Sequence, residues 1–383
     1  MDFGMTEEQE LLLESLQELI EREAPEKEVK KWYEQGAVSD SFMKAFLEAG
    51  FGFLGIPEEY GGTPADLTTL LMVAEELTRG TAATIPALSN ILNMYDMIEF
   101  GTPEQIRLSM DLYEKTGKAS FSLAISEPQA GSDNSGMTTV AVRKNGKVYL
   151  DGCKTFVTHG GVAPYCLVVA KDEVPDRENK NMSMWLFSAD LPGVKFAPLH
   201  KIGQGTTSFA ELYLDHVELD ESALVGTPGK GFLQLMKNFE IERLLLCMQT
   251  LGLAEAAMDD AAAYASQRMQ FGKAIGEFQM IQQLLTDMEI KIKNMRNMVY
   301  EAAWLYDHGK SIRLESALCK RYCGRASTEV CSDAMQIMGG IGYTTEGRIS
   351  RAWQDARGWE FAGGTEQIMV HIAGRQILKK YAK

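Results

Sequence analysis

Residues 138–152, TTVAVRKNGKVYLDG, predict a β-hairpin in the middle of a chain whose other patterns are mostly helical. Its two halves alternate apolar and polar residues, and Asn145-Gly146 between them is a strongly preferred two-residue hairpin turn. Three more strand-like runs follow, namely YCLVVAKD (165–172), SMWLFSAD (183–190) and FAELYLDHVEL (209–219). Residues 119–228 are therefore predicted to form a separate antiparallel β-domain.

The sequence before and after this domain shows helical periodicity. Thr6-Glu7-Glu8-Gln9 is a capping box followed by leucines at helical spacing, and further helical stretches lie at 40–49, 66–79 and 103–116. Residues 1–118 are thus predicted to form an N-terminal α-helical domain. After the break at VGTPGKGF (225–232), long apolar-periodic stretches cover 231–265, 277–308 and 314–338, and a shorter one covers 366–380. They predict a C-terminal helical bundle over 229–383.

Composition narrows the class of partner. The chain has 383 residues and a net charge of −15, which argues against nucleic acid as the main partner, because phosphate binding needs clustered cations. No run of eighteen apolar residues is present, so no membrane span is expected. The acidic start, MDFGMTEEQE, has the pattern of neither a signal nor a transit peptide, and we expect a cytoplasmic location. The six cysteines and five histidines form no metal-binding or disulfide motif.

Three stretches combine small residues with side chains that suit a planar cofactor. AISEPQAGSD (124–133) contains a Gly-bearing turn whose N–H groups can hold a phosphate or a flavin edge, although most such loops are ordinary turns. In KTFVTHGG (154–161), Phe156 and Thr158 alternate on a strand and point to one face, but a core Phe is the commoner outcome. In AMQIMGGIGY (334–343), Gly340-x-Gly342 follows a helical pattern, which argues against a Rossmann turn.

Taken in order, these stretches resemble the acyl-CoA dehydrogenase flavoprotein family over essentially the whole chain. VGTPGKGF, QRMQFG (267–272) and the Gly-Thr-x-Gln of FAGGTEQIM (361–369) belong to the same resemblance. Within the family, YASQRMQFG, NMVYEAAW, ALCKRYC and RISRAWQD are most similar to the crotonobetainyl-CoA reductase branch. The resemblance implies an α+β fold that is mainly α: an N-terminal helical domain, a middle antiparallel β-barrel-like domain and a C-terminal four-helix bundle. It also implies one FAD per subunit and a homotetramer.

The resemblance assigns roles residue by residue. Thr158 is expected to bond the reactive N5 of the flavin, and Phe156 to stack on the ring, where most relatives carry Trp. Other positions match contacts to the FAD of a neighbouring subunit or to its adenine half. The full set of implied FAD-binding residues is Ser126, Gly131, Ser132, Phe156, Thr158, Arg268, Phe271, Gln336, Gly340, Thr365 and Gln367.

NFEIERLLL (238–246) raises a separate question, because it places Glu242 among apolar residues on a helix. Such a carboxylate must be paired, solvated or used in chemistry. Pairing with Arg243 is disfavoured, since consecutive helical residues diverge by about 100°. Many relatives take their catalytic base from a Glu immediately before the terminal Gly-Thr, but this chain has Gly363 there.

A minority of the family places the base at the position of Glu242, and the small Gly363 vacates space for a carboxylate from another helix. The resemblance therefore implies that Glu242 takes or returns the α-proton of an acyl thioester, with a pKa raised by burial. The Gly363 N–H is expected to stabilise the enolate oxygen. Glu240 and Arg243 match neighbours of the pantetheine chain and the active-site loop, and Ser132 is assigned to the substrate as well as to FAD.

The predicted function is that of an FAD-dependent oxidoreductase acting on the CH–CH bond of acyl-CoA thioesters, by enoyl-CoA reduction or acyl-CoA dehydrogenation. An electron-transferring flavoprotein is the expected redox partner. One alternative is a general short- or medium-chain fatty acyl-CoA dehydrogenase, and another is a non-catalytic flavin- or CoA-binding assembly partner. Residues 86–100 and 242–250 are expected to line the acyl cavity, and they contain no aromatic box for a quaternary ammonium group.

Overall fold

The computed structural model describes residues 4–172 and 181–382, so residues 1–3, 173–180 and 383 of the predicted domains lie outside the described ranges. The first part of the described chain is helical. Its helices are α1 (Glu7–Glu23), α2 (Glu26–Gln35), α3 (Asp40–Glu48), α4 (Leu67–Thr81), α5 (Ala87–Phe100) and α6 (Pro103–Thr116). The capping box at the start of α1 is confirmed: the Thr6 hydroxyl accepts from the Gln9 N–H, and the Gln9 side chain accepts from the Thr6 N–H.

A sheet follows, and helices then continue to the end of the described chain. The strands of the sheet are β1 (Phe121–Ala124), β2 (Val140–Lys144), β3 (Lys147–Thr158), β4 (Tyr165–Asp172), β5 (Met182–Ser188), β6 (Val194–Pro198), β7 (Phe209–Leu219) and β8 (Leu224–Val225). The later elements are α7 (Gly231–Gln267), β9 (Met269–Gln270), β10 (Lys273–Ala274), α8 (Gln279–Asp307), α9 (Arg313–Met338), α10 (Ile349–Gly358) and α11 (Glu366–Tyr381). The predicted order of helical, β and helical domains is confirmed.

The sheet is mixed, which corrects the prediction of a purely antiparallel domain. Its strand order is β6-β7-β3-β2-β4-β5-β8, with β1 also paired to β4. The β2–β3 hairpin is antiparallel as predicted, and Asn145 and Gly146 have positive φ values of 52° and 78°, as a type I′ turn requires. By contrast, β4 runs parallel to both β1 and β2. Turn residues specify only the pairing of strands adjacent in sequence, so these long-range parallel pairs had no local signal.

Strand periodicity divides the interior into two cores. Cys166, Val168 and Ala170 of β4 point into the core of the β-domain, whereas Leu167 and Val169 between them join the core formed by the helices. This alternation follows from the two-residue side-chain period of a strand. One face of the sheet is therefore attached to the helical domains by apolar packing. No helix in the described part of the chain combines the length and apolar content that a membrane span requires.

A buried carboxylate connects the three domains by hydrogen bonds. Asp355 of α10 accepts hydrogen bonds from the Tyr33 hydroxyl of α2, from the Thr84 N–H (2.9 Å) and from the Gln204 N–H in the β6–β7 loop. The side chain is fully buried, and burial raises its pKa while these donors act to lower it. Because Tyr33 and Thr84 belong to the N-terminal domain and Gln204 to the β-domain, one residue fixes the positions of three separate segments.

Replacement of Asp355 by Ala is expected to lower the free energy of unfolding by about 3–4 kcal/mol, because three buried donors lose their acceptor. Denaturant unfolding measures this loss. The matched control is Asp259→Asn, which removes an exposed ion pair with Arg79 and should cost less than about 1 kcal/mol. Equal losses in the two variants would contradict the connecting role of Asp355.

Candidate active site

Glu242 lies on α7 at the wall of a small cavity. The cavity has a volume of about 80 Å³ and is enclosed by α5, β1 and α7. Its lining residues are Ser89, Leu92, Asn93, Tyr95, Asp96, Leu123, Asn238, Phe239, Ile241, Glu242, Leu245 and Leu246. The N-terminal domain, the sheet and the C-terminal domain therefore each supply part of its wall, and the lining falls largely within the two segments predicted from the sequence.

The Glu242 carboxylate has no hydrogen-bond donor and no ion-pair partner within 4 Å among the residues that the structure describes. Burial raises its pKa, and the charges of Arg243 and Lys320 act in the opposite direction without forming a direct pair. Of the three roles open to this carboxylate, a structural ion pair is the one that the geometry does not support. A carboxyl with a raised pKa in an apolar cavity is suited to proton transfer.

Gly363 adjoins the same region through Leu246, which follows Glu242 by one helical turn. A Cβ atom added at Gly363 would lie 2.4 Å from Leu246 Cδ1, and Gly363 has a positive φ of 66° that favours glycine. The space that Gly363 vacates is thus filled by Leu246 and not by the Glu242 carboxylate itself. No acceptor for the Gly363 N–H occurs within the described ranges, so this group is available to a bound oxygen.

Asp96 on α5 is a second carboxyl at the cavity, and the sequence analysis missed it. Asn238 Nδ2 donates a hydrogen bond of 2.7 Å to Asp96 Oδ1. Burial raises the pKa of Asp96 to about 7; the hydrogen bond from Asn238 acts to lower it, while the charges of Glu242 and Glu99 raise it further. The available signal was an acidic residue between Tyr95 and Met97 in NILNMYDMIEF (90–100), a stretch that helical periodicity did not assign to a helix.

Glu240 and Arg243 lie beside Glu242 on α7, but neither lines the cavity. Arg243 is buried, and its Nε has no hydrogen-bond partner in the described structure. Glu240 is partly buried, and its pKa is raised by burial against the opposing charges of Arg243 and Arg313. A buried guanidinium without a bonded partner is costly. This arrangement is compatible with a bound ligand near Arg243, and the substrate roles of both residues stay predictions.

Phe156 and Thr158 project from one face of β3, as predicted. Both are exposed, whereas Val157 between them is buried. A register shift in the pairing with β7 marks a β-bulge at this point, and Phe156 has a left-handed φ of 59°. Phe156 is 62% exposed, and its ring stacks on that of Phe209. A bulky residue held in a strained conformation with its ring outside the core is typical of a ligand-binding position.

A buried ion pair holds the loop that precedes this strand face. Glu127 Oε1 and Lys154 Nζ are 2.9 Å apart, and both side chains are completely inaccessible. Burial acts to raise the pKa of Glu127, but donors from Thr139, Lys154 and Thr138 bring it down to about 2. The carboxylate therefore remains charged and ties the loop to β2 and β3. Sequence reasoning missed this pair, although Glu127 lies inside the predicted flavin loop.

The loop itself presents the remaining predicted groups on this side. Gly131 and Ser132 are exposed and Ser126 is partly buried, and the Ser126 carbonyl accepts a hydrogen bond from the Thr155 N–H. Ser126 is only three residues beyond Leu123 at the cavity, a chain distance of about 10 Å. The Phe156 face and the Glu242 cavity are consequently neighbours in the structure.

Two buried polar atoms without a hydrogen-bond partner in the described structure, His159 Nε2 and Ser208 Oγ, belong to residues next to Thr158 and Phe209 in sequence. The His159 N–H donates to the Ser208 carbonyl, so the two residues are also neighbours in space. Burial lowers the pKa of His159 to about 4, with a smaller effect from Lys201, so the imidazole is neutral at pH 7. Together with the projecting Phe156 ring, these groups fit a planar ligand that has its own donors and acceptors.

The other predicted cofactor residues lie away from the cavity wall, on exposed parts of the surface. Arg268, Phe271, Gln336 and Gly340 are all exposed, and the Phe271 side chain is 94% accessible. At the start of α11, Thr365 caps the helix by accepting from the Ile368 N–H, and Gln367 is exposed. Within one chain, these residues do not lie on the Phe156 face. Their contribution to the cofactor of a neighbouring subunit therefore stays a prediction.

Comparisons with known proteins cover nearly all of this architecture. Residues 6–108, 122–217 and 229–378 match the N-terminal, middle and C-terminal domains of acyl-CoA dehydrogenase. The probable acyl-CoA dehydrogenase YdiO of Escherichia coli strain K12 is 48% identical over 381 residues, covering 100% of this chain and 99% of that protein.

Two solved structures extend the similarity to three dimensions. An acyl-CoA dehydrogenase from Slackia heliotrinireducens is 38% identical with a TM-score of 0.89, covering 100% of this chain and 99% of its own. Butyryl-CoA dehydrogenase from Megasphaera elsdenii is 29% identical with a TM-score of 0.89, covering 99% of this chain and 100% of its own.

The substitution Phe156→Gly tests whether the Phe156 ring binds FAD or stabilises the fold. Gly relieves the strain of a left-handed φ, and this gain offsets the lost contact with Phe209. The free energy of unfolding of the flavin-free variant should therefore lie within about 1 kcal/mol of the wild-type value. The dissociation constant for FAD should rise at least about 10-fold, because stacking area is lost. Fluorescence titration and denaturant unfolding provide the two measurements.

The control is Val157→Ala, which removes buried methyl groups at the adjacent position. It should lower the stability of the flavin-free chain by about 1–2 kcal/mol and leave FAD affinity nearly unchanged. If Phe156→Gly destabilised the chain and retained FAD, the ring would be a structural residue.

Proposed function

This chain belongs to the acyl-CoA dehydrogenase family, and we propose on that premise that it is an FAD-dependent oxidoreductase acting on the CH–CH bond of a short acyl-CoA thioester. The observation that carries the proposal is Glu242, a carboxyl without a bonded partner in the described structure that lines an apolar cavity, with Gly363 adjoining the lining residue Leu246. The proposal assigns Glu242 to the α-proton and Gly363 to the thioester oxygen.

The residues around Phe156 fit FAD. The exposed ring on the bulge of β3 provides a stacking surface, Thr158 provides a hydroxyl on the same face, and the loop at Gly131 and Ser132 leaves exposed backbone groups for phosphate or ring oxygens. When bound, FAD supplies the acceptor or donor of the hydride. The chain's own residues bind and orient the thioester and move the proton.

Proton transfer is assigned to the Glu242 carboxylate. For dehydrogenation the ionised form takes the α-proton of the thioester, and for enoyl-CoA reduction the protonated form returns a proton to that carbon. A pKa raised by burial brings both forms closer to neutral pH than an ordinary carboxyl would allow. The Gly363 N–H donates to the thioester oxygen, where negative charge develops as the α-proton leaves.

Two finer assignments belong to this proposal. The sequence resemblance favours crotonobetainyl-CoA reductase, and a general short- or medium-chain fatty acyl-CoA dehydrogenase is the alternative. A non-catalytic assembly partner is less well supported, because a chain without chemistry has no need for an unpaired carboxyl in an apolar cavity. We favour the enzyme.

The proposed assembly is a homotetramer that exchanges electrons with an electron-transferring flavoprotein. Support comes from large apolar side chains on the surface, with Phe271, Tyr343 and Met280 exposed by 94%, 83% and 78%. Such exposure is typical of an interaction surface. Arg268, Phe271, Gln336 and Gly340 are the proposed contacts to a neighbouring subunit's FAD, with Thr365 and Gln367 near its adenine half.

Glu242→Gln should preserve FAD content while slowing flavin reduction by the best acyl-CoA substrate by about 10²- to 10⁴-fold, because Gln cannot accept a proton. Anaerobic stopped-flow absorbance measures the rate. In the wild type the rate should increase with pH through the raised pKa of Glu242, since only the ionised carboxylate accepts a proton. That pH-dependent increase should be absent in Glu242→Gln.

The matched control is Asp259→Asn, a substitution at an exposed carboxylate on the same helix, which should reduce flavin at the wild-type rate. Near-normal reduction by Glu242→Gln would reject the assignment. A variant that lost its flavin would show that Glu242 holds structure instead.

A further inference from the structure

Asp96 has no role in the reaction as proposed, yet its buried carboxyl lines the cavity that contains Glu242. Helix α7 accounts for the arrangement, because Asn238 precedes Glu242 by four residues and the two side chains lie on one face of the helix. Asn238 Nδ2 donates a hydrogen bond of 2.7 Å to Asp96 Oδ1. For Asp96 Oδ2 the described residues provide no hydrogen-bond donor.

The other polar side chains of the cavity direct their donors to the backbone. Ser89 donates to the Pro86 carbonyl, Asn93 to the Phe121 carbonyl and the Tyr95 hydroxyl to the Leu54 carbonyl. No Lys, Arg or His belongs to the described lining. The described lining therefore presents two carboxyls and no positive side chain, and the charges of Arg243 and Lys320 act on Glu242 from outside the lining.

Asp96 also differs from the buried carboxylates that hold the fold. Asp355 and Glu127 each accept several hydrogen bonds from separate segments. In the described structure, Asp96 accepts one hydrogen bond, from the side-chain amide of Asn238. A buried carboxyl left with unused acceptor capacity is costly unless a ligand completes it. Under the proposed function, the ligand that reaches this cavity is the acyl part of the thioester.

We propose that Asp96, oriented by Asn238, is a specificity-determining residue that selects acyl groups whose far end carries a positive charge or a hydrogen-bond donor. This inference rests on the proposed function, since it assumes that the cavity holds the acyl part of a CoA thioester. An electropositive group satisfies Asp96 Oδ2, a neutral alkyl group leaves it unpaired, and an anionic group meets two carboxyls. The preference is thus set partly by repulsion.

Two isosteric pairs of thioesters test whether Asp96 selects the acyl group, one pair for positive charge and the other for a hydrogen-bond donor. 4-Trimethylammoniobutanoyl-CoA and 5,5-dimethylhexanoyl-CoA share a shape and differ in charge, while 4-hydroxybutanoyl-CoA and pentanoyl-CoA differ by a hydroxyl donor. Glutaryl-CoA adds an anion. The measurements are kcat/KM with a dye acceptor and, independently of turnover, the dissociation constant by titration calorimetry.

The wild type should favour the electropositive member of at least one pair by about 10- to 100-fold in both measurements. Asp96→Asn should bring that ratio close to one in both measurements. The matched control is Asp111→Asn, at an exposed carboxylate on the next helix, α6, and it should keep the wild-type ratio.

Asn238→Leu is the second variant. It removes the donor that orients Asp96, so it should reduce the same ratio by a smaller factor, and it keeps the test decisive if Asp96→Asn fails to fold. A wild-type ratio near one in both pairs would overturn the inference. So would an equal loss on every thioester in Asp96→Asn, since Asp96 would then serve Glu242 and not the acyl group. Failure of all the thioesters to reduce the flavin would instead reject the proposed function.

Discussion

The hydrogen bonds to Asp355 constrain how the three domains that build the site are positioned relative to one another. A buried carboxylate on α10 accepts from α2, from the segment before α5 and from the β6–β7 loop. Two of these three segments continue directly into the site region: α5 lines the Glu242 cavity, and β7 carries Phe209, which stacks on Phe156. The positions of the helices relative to the sheet are therefore specified by polar bonds as well as by apolar packing.

The candidate site follows from this arrangement because it is built where the three domains meet. Leu123 of the sheet, Asp96 of the N-terminal domain and Glu242 of the C-terminal domain line one cavity. Only a few residues of each domain take part, and the apolar wall raises the pKa of both carboxyls. The proposals give these two carboxyls separate roles in one cavity, with Glu242 assigned to proton transfer and Asp96 to selection of the acyl group.

The sequence predicted the order of the domains and the longest helices, because a hairpin turn, a capping box and sustained helical periodicity are local signals. It did not predict α5 or α10. Helix α5 buries residues on several sides, including Leu88, Ile91, Asn90 and Met94, so its sequence lacks a clear polar face. The parallel pairing of β4 with β1 and β2 was missed because such pairs depend on long-range contacts.

Within the site, the sequence identified Glu242 and Gly363 but not Asp96, Leu246 or the pair of Glu127 with Lys154. Glu242 is a charged residue in an apolar helical stretch, and Gly363 stands where many relatives have Glu. Both features can be recognised from the sequence alone. The role of Leu246 exists only because its Cδ1 fills the space beside Gly363. The role of Asp96 arises only from the approach of α5 to Asn238 on α7. Contacts between distant segments were not accessible to local reasoning.

Exchange of the substrate α-hydrogen tests the central claim most directly, because it reports proton transfer without hydride transfer. The probe is an acyl-CoA analogue whose β-carbon is replaced by sulfur, incubated with FAD-loaded protein in D₂O and analysed by mass spectrometry. The account predicts α-deuterium incorporation by the wild type and a rate at least about 10²-fold lower in Glu242→Gln. Equal incorporation by the two proteins would contradict the assignment of the α-proton to Glu242.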